Sequence, residues 1–158
     1  MPEVKTNAMR VLDKAGLAYR HHNYDAADGH IDGVSVAQKM GQNLQQVFKT
    51  LVTKGSSGNY FVFVIPVAAE LDRKAAARSV GEKAVDLIPV KDINRVTGYI
   101  RGGCSPIGMK KAYRTVFDSA ALTQPTIFVS GGRIGTQIEA EPQGLITLLG
   151  AQTAHLTT

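Results

Sequence analysis

The stretch Thr97-Gly98-Tyr99-Ile100-Arg101-Gly102-Gly103-Cys104-Ser105-Pro106-Ile107-Gly108-Met109-Lys110-Lys111 constrains this chain more than any other. It carries four glycines and one proline, and no helical or strand period runs through its middle. Such a segment takes an irregular backbone, with glycine where a side chain would clash or φ must be positive. It exposes backbone N–H groups that regular structure does not use. Those donors need partners, and an oxyanion, carbonyl or phosphate is one candidate. A plain turn between strands is the competing reading. Familiar glycine signatures do not decide it. Gly108 is followed by Met109, so no phosphate-binding Gly-Lys-Ser/Thr ending is present, and the dinucleotide G-x-G-x-x-G spacing is missing.

The flanking chain reads as alternating elements. Thr6 or Asn7 caps a first helix that buries Met9, Leu12 and Val11 and ends at Gly16. Leu17 to Tyr24 is a strand, and the Asp- and Gly-rich 25–33 a loop, read as mobile. A short helix opens at Gly33 with Val36, Ala37 and Met40 inward and stops at Gly41, and Asn43 caps another turn. Strands follow over Val47–Lys54 and Tyr60–Val67, joined by a Gly/Ser hairpin loop. A helix runs from Leu71-Asp72 to Val80, then a strand over Ala84–Ile88 and a helix over Val90–Val96. Beyond the glycine stretch come strands Arg114–Asp118, Thr126–Ser130 and Thr136–Ala140, and a helix Pro142–Leu149. Ser130-Gly131-Gly132-Arg133-Ile134-Gly135 makes a second glycine-rich turn. This irregular interleaving predicts an α/β fold with helices packed on a mixed sheet, not a doubly wound parallel one. At 158 residues, one domain over 1–158 is expected.

Composition matters mainly for what it removes. A single cysteine leaves no internal disulfide, the N-terminus lacks a signal layout, and no apolar run is long enough for a bilayer. The expectation is a cytoplasmic protein. A net charge of +5 permits a polyanionic partner. Lys110, Lys111 and Arg114, and Lys5, Arg10 and Lys14, are the clusters that would serve one, or else simply solvated faces.

Few side chains stand out chemically. Period 2 puts Lys49 on the face of Val47 and Leu51. A lysine there must reach out to solvent or meet an anion. Cys104 has no activating base nearby in sequence and reads as a small filler. His21 and His22 point to opposite faces of a strand, and no Cys/His spacing suits a metal. No G-x-S-x-G elbow is present. Any catalysis would rest on backbone donors, hydroxyls and one lysine, with no metal and no cofactor.

Several motifs in register carry a resemblance. Val47-Phe48-Lys49-Thr50-Leu51, Thr97 to Lys111, Val129-Ser130-Gly131-Gly132-Arg133 and His22-Asn23-Tyr24 match the YbaK/EbsC group in order and spacing. This group of free-standing aminoacyl-tRNA deacylases is similar to the editing domain inserted in bacterial prolyl-tRNA synthetases. The resemblance implies a strongly curved, partly barrel-like mixed sheet flanked by helices. It implies trans-editing of Cys-tRNA(Pro), with Cys-tRNA(Cys) as a second substrate. Prolyl-tRNA synthetase is the candidate protein partner; oligomeric state is not legible.

By position, Lys49 is the essential lysine, beside backbone donors at Gly102 and Gly103. Tyr24, Phe48, Thr50, Ser105, Pro106 and Ser130 line the substrate site. Family members often carry Asp where Gln137 stands, which bears on substrate preference. An Ala-tRNA(Pro) deacylase, or a non-catalytic tRNA- or synthetase-binding module, are the alternative readings.

Overall fold

The computed structural model describes residues 5–158, so the first four residues of the expected domain lie outside it. Five α-helices occur among the described residues: α1 (Asn7–Ala15), α2 (Gly33–Met40), α3 (Arg73–Val80), α4 (Ile93–Thr97) and α5 (Pro142–Leu149). Local chemistry sets their ends. The Thr6 hydroxyl accepts from the Met9 N–H at 3.2 Å, and Asp32 and Asp72 do the same for α2 and α3. Each cap satisfies N–H groups that the helix leaves without partners. Glycine terminates all five, as the sequence predicts.

The strands are β1 (Tyr19–Asn23), β2 (Phe48–Gly55), β3 (Tyr60–Pro66), β4 (Val85–Leu87), β5 (Arg114–Asp118), β6 (Ile127–Ser130), β7 (Thr136–Ala140) and β8 (Gln152–Ala154). They form two sheets. One is antiparallel in the order β1-β7-β6, and the other runs β4-β2-β3-β5-β8. In the second, β2 pairs antiparallel with β3 and β4, while β5 pairs parallel with β3 and β8. The mixed sheet expected from sequence is therefore present, but the barrel-like element is not closed. A single bridge, Val47 to Phe128, links the two sheets, and three-residue β4 and β8 leave the larger one open.

β3 organises the core because both of its faces are covered. Val62 and Val64 pack with Phe48, Leu12, Phe117 and Ile138 on one side. Phe61, Phe63 and Ile65 pack with Ala76, Val80 and Val116 on the other. An unbroken apolar run is what a strand buried on two sides requires.

Three features depart from the sequence reading. The expected Val90–Val96 helix divides into a 3-10 turn at Val90–Asp92 and the short α4. A 3-10 turn forms at Ser119–Thr123. β8 was not expected, because its polar Gln-Thr-Ala has no apolar alternation. Tertiary contacts make it: Arg114 Nη2 donates to Gln152 Oε1 at 2.8 Å, and the Leu156 N–H donates to buried Asp118 at 2.8 Å. Beyond β8 the chain runs back along residues 70–72. Leu71 bridges Thr157, the Asp72 N–H donates to Leu156 O at 2.7 Å, and the Thr158 N–H donates to Glu70 O at 3.1 Å.

Candidate active site

A cavity of about 460 Å³ opens where the two sheets meet. This is the size range in which proteins hold small ligands. Its walls come from the residues just after β1 and β3, the loop before α2, α2 itself, the start of β2, the glycine stretch, the end of β6 and the start of β7. Of the residues predicted for the site, Tyr24, Phe48, Lys49, Thr50, Gly102 and Ser130 line this cavity together. They come from segments as far apart as residues 24 and 130 in the numbering.

Lys49 stands opposite Ile65 in the ladder, on the side of the sheet that carries Leu51 and Phe63. Burial pushes its ammonium below the ordinary lysine range, and the Glu70 carboxylate works against that shift. Lys49 is among the residues that line the cavity, and a partly desolvated cation at its edge favours an anionic or strongly polar occupant. Phe48 is buried in the main core and fixes the start of the strand. Tyr24 is placed by its neighbours: its N–H donates to Gly135 O at 2.9 Å, and Asn23 Oδ1 accepts from Thr136 Oγ1 at 3.1 Å.

Among the described residues, two buried side-chain polar atoms lack partners. Thr50 Oγ1 and Ser130 Oγ are buried and make no hydrogen bond in the protein. Buried hydroxyls are normally satisfied, so an unsatisfied pair on one cavity points to a ligand that completes them. Gly102 lines the same cavity, with φ of +85°.

Three predicted site residues sit elsewhere. Gly103, Ser105 and Pro106 are buried and do not line the cavity. The Gly103 N–H donates to Ile100 O at 2.9 Å, so it is not open to an oxyanion. Its function is closeness: a Cβ there would stand 2.9 Å from the Arg133 and Ile134 backbone. Ser105 Oγ accepts from the Ile107 N–H at 3.2 Å and braces the loop from within. The Tyr99 hydroxyl donates to Ile107 O, and Asn7 Nδ2 donates to Gly108 O, both at 2.6 Å. The glycine stretch is thus a fixed wall.

Cys104 lines the cavity, but burial raises its thiol to about 11 and its Sγ faces Thr97 Oγ1 at 3.9 Å. A thiol held protonated is a poor nucleophile. Changing Cys104 to alanine should leave the rate of any reaction at this cavity, the expected deacylation included, within about threefold of the parent. Loss of a hundredfold or more would make the sulfur a participant.

Sequence reasoning noted Gln137 only as a position where relatives often carry Asp, and it missed both its partner and the role of the loop before α2. Gln137 is almost wholly buried and joins Gln42 in a reciprocal amide pair, with N···O distances of 2.7 and 3.2 Å. The amides satisfy each other, so this wall is neutral. Its partner is 95 residues away and no local signal marks it. The loop before α2 was read only as mobile, yet Gly29, Ile31 and Asp32 form part of the cavity. The basic residues singled out in the sequence are all exposed, and several of them are partnered on the protein's own surface. Lys5 pairs with Asp13, Lys110 Nζ donates to Arg95 O, and Arg114 donates to Val80 O and Gln152.

Comparisons with known proteins agree with this geometry. Residues 32–148 match the aminoacyl-tRNA editing domain. An Enterococcus faecalis protein named "Putative Cys-tRNA(Pro)/Cys-tRNA(Cys) deacylase EbsC" is 42% identical over 98% of this chain and 94% of its own length. A crystal structure described as "a putative trans-editing enzyme for prolyl tRNA synthetase" superposes with a TM-score of 0.84 at 26% identity. It covers 99% of both chains. The hypothetical protein APE2540 shares the fold, with a TM-score of 0.88 at 22% identity over 96% of this chain and 99% of its own. With the family matched across the cavity and a relative this similar along nearly its whole length, the chain belongs to the aminoacyl-tRNA editing domain family.

Proposed function

We propose that this protein removes cysteine from Cys-tRNA(Pro), acting in trans on tRNA released by prolyl-tRNA synthetase. The observation that carries the reading is the pair of buried, unpartnered hydroxyls of Thr50 and Ser130, which share one cavity with the Lys49 ammonium. An aminoacyl ester on a terminal adenosine supplies what that set lacks: carbonyl and ribose oxygens, and a nearby phosphate. The name of the relative supports this substrate, and the solved neighbour's description supports trans-editing for prolyl-tRNA synthetase.

A second site is what the problem demands. A synthetase pocket separates amino acids of similar size by only about 1–3 kcal/mol per methylene. The ester is already activated, so the editing site need not provide a strong nucleophile. The cysteine thiol attacks its own ester carbonyl. The sulfur–carbon bond forms, the bond to the ribose oxygen breaks, and the thiol proton ends on that oxygen. A thiolactone departs. Lys49 and the Gly102 backbone face the carbonyl region and stabilise the charge that develops there.

The exposed basic residues, among them Lys14, Lys110 and Lys111, attract a tRNA body in general but read no particular one. Selectivity for tRNA(Pro) is therefore assigned to a ternary complex with the synthetase, in keeping with the solved neighbour's description.

The test is release of label from Cys-tRNA(Pro) and Ala-tRNA(Pro), with and without prolyl-tRNA synthetase. Cysteine should be released at least about tenfold faster than alanine, and synthetase should increase the rate at low tRNA concentration. Faster release of alanine would reassign the substrate. Buffer-level rates on both would leave a binding module of the same fold. No effect of synthetase would remove the ternary complex.

A further inference from the structure

The loop between β1 and α2 covers the cavity, and very little apolar packing holds it. No residue from Asp25 to Asp32 is fully buried. Ile31 is its main apolar contact with the glycine stretch: a Cβ on Gly102 would lie 2.7 Å from Ile31 Cδ1. Local turns shape it. Asp25 Oδ1 accepts from the Ala27 N–H at 2.8 Å, and Asp28 Oδ1 from the His30 N–H at 2.9 Å. Segments with so few buried contacts open locally at little cost unless something ties them.

One side chain supplies the tie. Lys39, in the last turn of α2, donates to Asp25 O at 2.7 Å, Asp28 Oδ1 at 2.6 Å and His30 O at 2.9 Å. An ammonium has three N–H donors, and all three are used on this one loop. The acceptors span residues 25 to 30, so a single point charge gathers both ends of the turn. Hydrogen bonds from a charged donor are roughly twice as strong as neutral ones. The Asp28 carboxyl is held below the usual carboxylate range, first by its bond to Lys39.

We propose that Lys39 is a positioning residue for editing: its ammonium latches residues 25–32 over the cavity and so sets the apparent affinity for the aminoacyl end. The part that concerns substrate rests on the deacylase reading above; the latch itself does not. If the loop is closed only part of the time, apparent affinity falls by that fraction, while bound substrate still selects the closed form. The signature is a rise in KM with little change in kcat.

The protein carries its own reporter of the latch. Cys104 is the sole cysteine and lines the same cavity as Gly102 and Ile31. The test compares the parent with Lys39→Met, which keeps the aliphatic stem, and with Asp28→Asn. In Lys39→Met, iodoacetamide should alkylate Cys104 about tenfold faster, KM for Cys-tRNA(Pro) should rise about tenfold, and kcat should stay within about twofold. Asp28→Asn should move both readouts the same way by less, because the two carbonyl acceptors remain. It carries the test alone should Lys39→Met not fold.

Parent-like labelling in the variant would overturn the latch. So would faster labelling with a steep urea dependence, which reports global unfolding. Faster labelling with an unchanged KM would overturn the positioning role. A parent with no deacylase activity would sink the proposed function, while the labelling readout would still decide the latch.

Discussion

Replacing Lys49 with methionine is expected to cut deacylation of Cys-tRNA(Pro) by at least about 100- to 1000-fold, the loss typical when one preorganised donor at a developing oxyanion is removed. The variant should melt no lower than the parent. Both halves follow from the same placement. The ammonium sits on an apolar strand face, beside a cavity, with burial lowering its pKa and only Glu70 opposing. A lysine whose folded pKa lies below its unfolded value binds fewer protons when folded. Its charge therefore costs stability at neutral pH. That cost fades as pH rises from the folded pKa toward the ordinary value of 10.5. Methionine keeps the stem and removes the cost. The alkaline limb of the parent's rate profile should accordingly begin below the range of a free lysine. Thermal melts and single-turnover rates decide it. Parent-like activity would take Lys49 out of the mechanism, and a collapsed melting temperature would make it a structural residue.

Gly103→Ala is expected to be the most damaging change outside the cavity. The added methyl would meet backbone atoms of Arg133 and Ile134 at 2.9 Å, and backbone cannot swing aside as a side-chain tip can. The glycine stretch and the β6–β7 turn would have to separate. Overpacking of this kind costs about 1–3 kcal/mol. In a chain of this size each kcal/mol lowers the melting temperature by about 2–4 °C. Gly102 lies on one of those segments and Ser130 on the other, so the same movement widens the site. A misplacement of about 1 Å is worth about 100-fold in rate. Melting and kcat/KM should fall together. A variant that melts lower but turns over normally would show that the spacing of the two turns is not used in catalysis.

Much of this architecture was legible because its determinants are local. Thr6, Asp32 and Asp72 announce helices, and glycine ends them, within the reach of a few residues. The β2–β3 hairpin declares itself by two apolar runs and a Gly/Ser turn. Lys49 was visible as a charge out of place in its period. What escaped depends on pairing across the chain. Polar β8 exists because β5 offers it an edge and Arg114 a partner. The resemblance implies Ser105 as a substrate ligand, until its bond from the Ile107 N–H is seen. Gly102 and Gly103 are chemically identical neighbours. Only the fold separates the one that faces the cavity from the one that packs two backbones together. The Gln42–Gln137 pair has no linear trace at all.

The return of residues 156–158 along residues 70–72 has a consequence for the order of events in synthesis. Every cavity wall is built from residues 24 to 137, yet Glu70, the carboxylate that steadies the Lys49 charge, has its backbone clasped by Thr158. A nascent chain thus possesses all of its pocket before it possesses the clasp. Until that clasp leaves the ribosome, β5 lacks its outer neighbour and the lysine's counter-charge hangs on an unanchored segment, so the editing centre is tuned only after it has been assembled.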